Sequence, residues 1–117
     1  MSHTISRSEL QTNLASGNPP VLLEALPAKY FLEGHLPGAR HMPHDEVKAL
    51  APTLVPNKAS EVVVYCASQT CRNSHIAAQS LRIMGYEHVR VYEGGKKDWV
   101  EAGLRLVPGH VPAAASA

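Results

Sequence analysis

The fold is decided by the stretch 61–75, which reads EVVVYCASQTCRNSH. Its first part, up to Cys66, is apolar without alternation, as in a strand of a parallel sheet that is covered on both faces. No periodic pattern runs from Ala67 to Cys71, and a helical pattern begins after Arg72. The stretch therefore predicts a strand, a sharp loop and a helix. It places Cys66 at the carboxyl end of the strand, where open α/β sheets bind their ligands.

This position predicts a reactive thiol at Cys66. The free N–H groups of the loop Ala67, Ser68, Gln69, Thr70 and Cys71, together with the positive end of the following helix, favour an anion. They also favour thiolate over thiol, so we expect a lowered pKa at Cys66. Arg72 can hold an oxyanion through its guanidinium. The alternatives are a small buried apolar cysteine and a solvated surface arginine.

Composition limits the class of protein. The chain has 117 residues, 44% apolar and 18% charged, with a net charge of +1, which suits one globular domain. It has no basic block, no apolar run of membrane-spanning length and no apolar segment at the amino terminus, so we expect neither nucleic-acid nor membrane binding and a cytoplasmic location. Two cysteines without export signals indicate reactive thiols rather than a disulfide framework.

The other segments alternate between strands and short helices, which predicts a parallel α/β sheet. We expect a small edge strand near Ile5 and a capped helix after Ser6. The remaining predicted elements are strands at 21–26, 39–42 and 89–93, and helices at 45–50 and 96–102, with Pro52 breaking the chain after the first of these helices. We assign residues 1–106 to one domain and 107–117 to a flexible carboxy-terminal tail.

Some polar residues have two interpretations. Glu24 lies toward the end of the predicted strand 21–26 and is either a site residue or a structural carboxylate. His41 and His44 have a metal-ligand spacing, but without a clear third ligand we predict no metal site. His75 lies one turn into the helix after the loop, where it either lines the pocket or faces solvent.

Three segments carry a resemblance to a known family. The first is the strand 21–26 followed by 34–39, Gly-His-Leu-Pro-Gly-Ala. The second is the strand 62–66 with its cysteine, and the third runs from 91–95, Val-Tyr-Glu-Gly-Gly, through Trp99 to Gly103. Over residues 5–106 the chain resembles a single-domain rhodanese. The resemblance implies a central five-stranded parallel sheet with helices on both faces.

The resemblance also implies an activity. Cys66 would accept a sulfane sulfur from a donor such as thiosulfate and become a persulfide. The sulfur would then pass to cyanide or to a thiol, either small or on a protein, and no cofactor is implied. Arg72 and the backbone of 67–71 would form the anion pocket.

The loop departs from the usual sulfurtransferase pattern, which has an arginine five residues after the cysteine. Here Cys71 occupies that position and Arg72 follows it. The Cys-x5-Arg spacing is also that of phosphatases and arsenate reductases of this fold. Those phosphatases usually have His at the position of Tyr65, and Ser or Thr at the position of Asn73.

Cys71 leaves further alternatives open. It is an accessory thiol that resolves a Cys66 persulfide or sulfenic acid by forming a disulfide, or a loop cysteine without a task. A redox sensor and a module that only binds a partner protein are the remaining interpretations.

Overall fold

The computed structural model describes residues 3–109. Four strands alternate with helices along this part of the chain: β1 (Val21–Glu24), β2 (Arg40–His41), β3 (Glu61–Tyr65) and β4 (His88–Tyr92). The helices are α1 (Arg7–Leu14), α2 (Ala28–Glu33), α3 (Val47–Leu54), α4 (Asn73–Ile83) and α5 (Gly95–Glu101). Among the described residues no helix is long and apolar enough to cross a membrane.

The strands form one parallel sheet in the order β2-β1-β3-β4. This confirms the predicted fold class, but the strand count differs from the five that the resemblance implied. The expected edge strand is reduced to one parallel bridge between Thr4 and Val91. The reason is local, because the Ser6 side chain accepts a hydrogen bond from the Glu9 N–H and starts α1 at Arg7. Helix and strand compete for the same residues.

Helices cover both faces of the sheet, as predicted. On one face α3 and α4 pack through Ala51, Leu54, Ala77 and Leu81 onto strand residues that include Val62 and Val64. On the other face α1, α2 and α5 contribute Leu10, Phe31 and Trp99, which pack onto residues that include Leu22, Val63 and Tyr65. Alternate residues of β3 therefore point into two different cores.

Helix α3 differs from its prediction. It runs from Val47 to Leu54 and contains Pro52, which we had taken as a break after residue 50. A proline in the last turn removes one backbone hydrogen bond. Val47, Ala51 and Leu54 lie at i, i+4 and i+7 and are all buried. Burial of this apolar face outweighs the missing bond.

The carboxy-terminal segment begins with contacts to the domain. Val107, which we had assigned to the tail, forms an antiparallel bridge with His35 through backbone hydrogen bonds of 2.8 and 2.9 Å. The Gly109 N–H donates to the carbonyl of Leu32. The rest of the predicted tail, residues 110–117, lies outside the described part of the chain.

Candidate active site at the carboxyl end of β3

Cys66 follows directly after β3 and points toward the start of α4. Its side chain is buried, with 1% of the residue exposed. The sulfur lies 3.3 Å from the Ser74 Oγ and 3.4 Å from the carbonyl oxygen of Cys71. The strand-loop-helix unit therefore brings the amino end of α4, residues 73–83, against this thiol, as the sequence predicted.

The electrostatics of this thiol differ from the prediction. Burial raises the pKa of Cys66, and the Cys71 thiol raises it further. The backbone N–H and the hydroxyl of Ser74 act in the opposite direction and lower the pKa. Our expectation of a lowered pKa was wrong, because loss of water around a buried sulfur outweighs the contribution of the helix end.

Ser74 is a site residue that the sequence analysis missed. It is 2% exposed and is one of the few buried polar residues among 3–109. Phosphatases with the Cys-x5-Arg spacing usually have Ser or Thr directly after the arginine, where Asn73 stands, and here the hydroxyl beside the cysteine comes one residue later, from Ser74. A signal was present, since the first turn of a predicted helix beside a cysteine is where a serine can donate to the sulfur.

The loop turns back on itself after Cys66. The Cys71 N–H donates to the carbonyl of Ser68 over 3.1 Å, which closes a turn over residues 68–71. Cys71 is free and partly buried, and its carbonyl faces the Cys66 sulfur. The turn thus brings the second cysteine next to the first.

The start of the loop is held by the amino end of α5. The N–H groups of Lys96 and Lys97 donate to the carbonyls of Cys66 and Ala67 over 3.0 and 2.9 Å. Gly95, with φ +64°, lies so close that a Cβ atom there would be 2.3 Å from the Cys66 carbonyl oxygen. Only glycine fits this left-handed position and this close approach.

The remaining predicted site residues are more exposed. The Arg72 side chain is exposed and makes no hydrogen bond or ion pair with any described residue. His75 is half exposed, and its Nε2 lies 3.3 Å from the Glu93 carboxylate. Ser68, Gln69 and Thr70 line one side of a cavity of about 250 Å³, whose other side is α5.

A second polar cluster lies on the opposite face of the sheet edge. The fully buried Glu24 accepts a hydrogen bond of 2.7 Å from the Tyr65 hydroxyl, and Lys96 Nζ lies 3.0 Å from its other carboxylate oxygen. The Tyr65 oxygen in turn accepts from the Leu36 N–H. Burial raises the pKa of Glu24, while Tyr65 and Lys96 lower it. Glu24 therefore has the structural partners of a buried carboxylate.

The histidines at 41 and 44 do not form a metal centre with their neighbours. His41 Nε2 lies 2.6 Å from the carbonyl oxygen of Leu26, so this nitrogen carries a proton and donates. Within residues 3–109 no group of three or more His, Cys, Asp or Glu side chains is arranged to hold a metal ion.

Comparison with known proteins identifies the family of this arrangement. The profile of the family described as Rhodanese-like domain matches residues 6–102. The thiosulfate sulfurtransferase PspE of Escherichia coli is 42% identical over 73 residues, which cover 62% of this chain and 66% of that protein. The sulfur carrier protein TtuD of Thermus thermophilus is 32% identical over 79 residues, 56% of this chain and 27% of that protein. The chain thus spans less than two thirds of these curated relatives.

Solved structures show the same architecture. A thiosulfate sulfurtransferase from Pseudomonas aeruginosa superposes with a TM-score of 0.83 at 26% identity, over 94% of this chain and 21% of that one.

Proposed function

Because the chain belongs to the rhodanese-like domain family, as the resemblance predicted, we propose that it transfers a sulfane sulfur through a persulfide on Cys66. One observation carries this proposal. The Cys66 sulfur lies 3.3 Å from the Ser74 hydroxyl at the start of an 11-residue helix. The hydroxyl and the N–H of Ser74 lower the pKa of Cys66 against the effect of burial, and they therefore stabilise the negative charge of the thiolate when it attacks and when it leaves.

The transfer has two steps. In the first, the Cys66 thiolate attacks the outer sulfur of thiosulfate, the sulfur–sulfur bond of the donor breaks, and sulfite leaves with the electron pair. In the second, a nucleophile attacks the outer sulfur of the persulfide, and Cys66 leaves as a thiolate. Ser74 donates to this thiolate in both steps.

The substrates that we propose follow from the site. The donor is a small anion such as thiosulfate, which the N–H groups of 67–70 and the guanidinium of Arg72 would bind. The predicted contribution of the Cys71 N–H falls away, because this group donates to the Ser68 carbonyl. The acceptor is a thiol, small or on a protein, with cyanide as its substitute in an assay. A reducing compartment such as the cytoplasm suits the two free cysteines.

The test is the intact mass of the reduced protein after incubation with thiosulfate and then with cyanide. We expect wild type to gain one sulfur atom and lose it to cyanide, and Cys66→Ser to gain none. Cys71→Ser should still gain the sulfur at Cys66. A wild-type protein that gains no sulfur contradicts thiosulfate as the donor, and a gain that needs Cys71 but not Cys66 contradicts the choice of nucleophile.

One observation favours a second candidate, an oxyanion hydrolase or arsenate reductase. Enzymes with the Cys-x5-Arg spacing use a hydroxyl beside the cysteine, and Ser74 supplies one despite Asn73. Hydrolysis of p-nitrophenyl phosphate, or arsenate-dependent oxidation of a thiol, that is lost in both Cys66→Ser and Arg72→Ala would support it. Sulfur loading without either activity would exclude it.

A further inference from the structure

We propose that Cys71 is a second sulfur carrier, which takes the outer sulfur from the Cys66 persulfide and presents it to acceptors that cannot reach Cys66. This inference rests on the proposed function, because it needs a persulfide on Cys66. It adds a second catalytic residue: Cys66 reacts with the small donor, and Cys71 transfers the sulfur to large acceptors.

Exposure separates the two cysteines. Cys66 is 1% exposed, and its sulfur lies between the Ser74 hydroxyl and the Cys71 carbonyl. Cys71 is partly exposed on the turn that covers Cys66. A thiol on a folded protein has to enter this enclosed space to attack sulfur on Cys66, whereas sulfur on Cys71 lies nearer the surface.

Proximity permits the transfer. The turn closed by the Cys71 N–H and the Ser68 carbonyl folds Cys71 back toward Cys66, so that its carbonyl lies 3.4 Å from the Cys66 sulfur. The two thiols are also near enough for the Cys71 side chain to raise the pKa of Cys66. The chain contains two cysteines, so within it Cys71 is the one thiol available to receive the sulfur.

The step balances without an external oxidant or reductant. The Cys71 thiolate attacks the outer sulfur of the Cys66 persulfide, a sulfur–sulfur bond forms to Cys71, and the bond to Cys66 breaks. Cys66 leaves as a thiolate, stabilised by Ser74, and takes up the proton that Cys71 released. An acceptor thiolate then attacks the outer sulfur on Cys71 in the same way.

The first test locates the sulfur. Wild type is loaded with thiosulfate, its thiols and persulfides are trapped with iodoacetamide, and it is digested with trypsin. Both cysteines lie in the peptide 59–72, where fragment ions assign the additional sulfur to one position or the other. We expect two populations, one with the sulfur on Cys66 and one with it on Cys71.

The second test measures delivery to two thiols of different size, β-mercaptoethanol and a ubiquitin variant with one surface cysteine. We expect Cys71→Ser to lower the ratio of the ubiquitin rate to the β-mercaptoethanol rate by about tenfold or more, a change of about 1.4 kcal/mol. Cys71→Ala should lower the ratio equally, because both variants lack the thiol.

The outcomes separate this proposal from the one on which it rests. Sulfur on Cys66 alone, with an unchanged ratio in both variants, overturns the relay and leaves the sulfurtransferase intact. Release of sulfide with formation of a Cys66–Cys71 disulfide also overturns it, since the inner sulfur was then attacked. No sulfur on either cysteine contradicts thiosulfate as the donor, and with it the loading step that both proposals share.

Discussion

Tyr65 and Cys66 are consecutive residues at one sheet edge, yet they face opposite sides and very different surroundings. On the side of α5, the Tyr65 hydroxyl donates to the fully buried Glu24 carboxylate over 2.7 Å, and Lys96 Nζ lies 3.0 Å from the other oxygen of that carboxylate. On the side of α4, the Cys66 sulfur has only contacts of 3.3 and 3.4 Å, to a hydroxyl and a carbonyl.

The difference separates stability from reactivity. The charge-assisted hydrogen bond from Tyr65 to Glu24 and the ion pair between Glu24 and Lys96 are strong, and they hold α5 against the strand ends. The contacts of a thiol are weak, so Cys66 is positioned without being saturated. Lys96 connects the two sides, because its side chain pairs with Glu24 while its N–H holds the Cys66 carbonyl. We infer that one cluster supports the loop and the other performs the chemistry.

Cys66→Ser should give the largest effect and the sharpest contrast. Sulfur transfer should fall by about a thousandfold or more, because oxygen cannot carry the persulfide. The free energy of unfolding, from urea denaturation, should change by only about 1 kcal/mol, since the residue makes only weak contacts. A loss of stability as large as that of Lys96→Met would contradict the separation.

Lys96→Met should show the reverse pattern. It leaves a buried carboxylate without its cation, which typically costs about 3 kcal/mol of unfolding free energy. The pKa of Glu24, already raised by burial, should rise further. A raised folded-state pKa means that stability is lost as the pH rises through it, so the deficit should be larger at neutral than at acidic pH. Urea denaturation at several pH values measures this.

The control for Lys96→Met is the double variant with Glu24→Gln. It removes the unpaired charge, so its stability should depend less on pH than that of the single variant. Equal pH dependence in the two variants would show that Glu24 is not the titrating group.

Gly95→Ala should lower both the stability of the fold and the rate of sulfur loading. Its Cβ would lie 2.3 Å from the Cys66 carbonyl oxygen, at φ +64°. Strain of this kind costs about 2 kcal/mol, and relief requires the loop to move. Stability should fall by this amount, and the rate of sulfur loading should fall with it. Gly17→Ala, where a Cβ meets no atom within 4 Å, is the matched control.

Ser74→Ala should have a smaller effect, confined to the thiol. Loss of the hydroxyl removes a group that lowers the pKa of Cys66. We expect alkylation by iodoacetamide at neutral pH to slow by about tenfold at most, equivalent to about 1.4 kcal/mol, in a Cys71→Ser background. Ser80→Ala on the same helix should leave this rate unchanged, and an equal slowing there would indicate a general effect on α4.

The smallest expected effect is a difference in the pH dependence of the alkylation rate between Cys66 and a free cysteine. Burial raises the pKa of Cys66, so its thiolate forms at higher pH than that of an exposed cysteine. The rate should therefore still be rising at a pH where the rate for a free cysteine in a model peptide, with a pKa of about 8.5, has levelled off. A plateau at lower pH would mean that the amino end of α4 lowers the pKa of Cys66 by more than burial raises it.

The sequence allowed the parallel sheet and the position of Cys66 to be predicted, because unbroken apolar runs and a strand-loop-helix pattern are local signals. The direction of the pKa shift at Cys66 could not be predicted from the sequence, because it depends on how completely Cys71 and Ser74 enclose the Cys66 sulfur. Glu24 could be suspected at a strand end, but its partner Lys96 is distant along the chain. The strand expected near Ile5 is reduced to a single bridge, because the cap at Ser6 starts helix α1 directly after it.

The bridge between Thr4 and Val91 has a consequence for self-association. Strand β4 is an edge strand of the sheet, and the unpaired backbone groups of an edge strand can pair with strands from other molecules. The N–H of Ile5 donates to the carbonyl of Val91, and the N–H of Val91 donates to the carbonyl of His3. The segment 3–5 therefore occupies the middle of this edge. The opposite edge strand, β2, is only two residues long. Neither border of the sheet offers an incoming chain a long template.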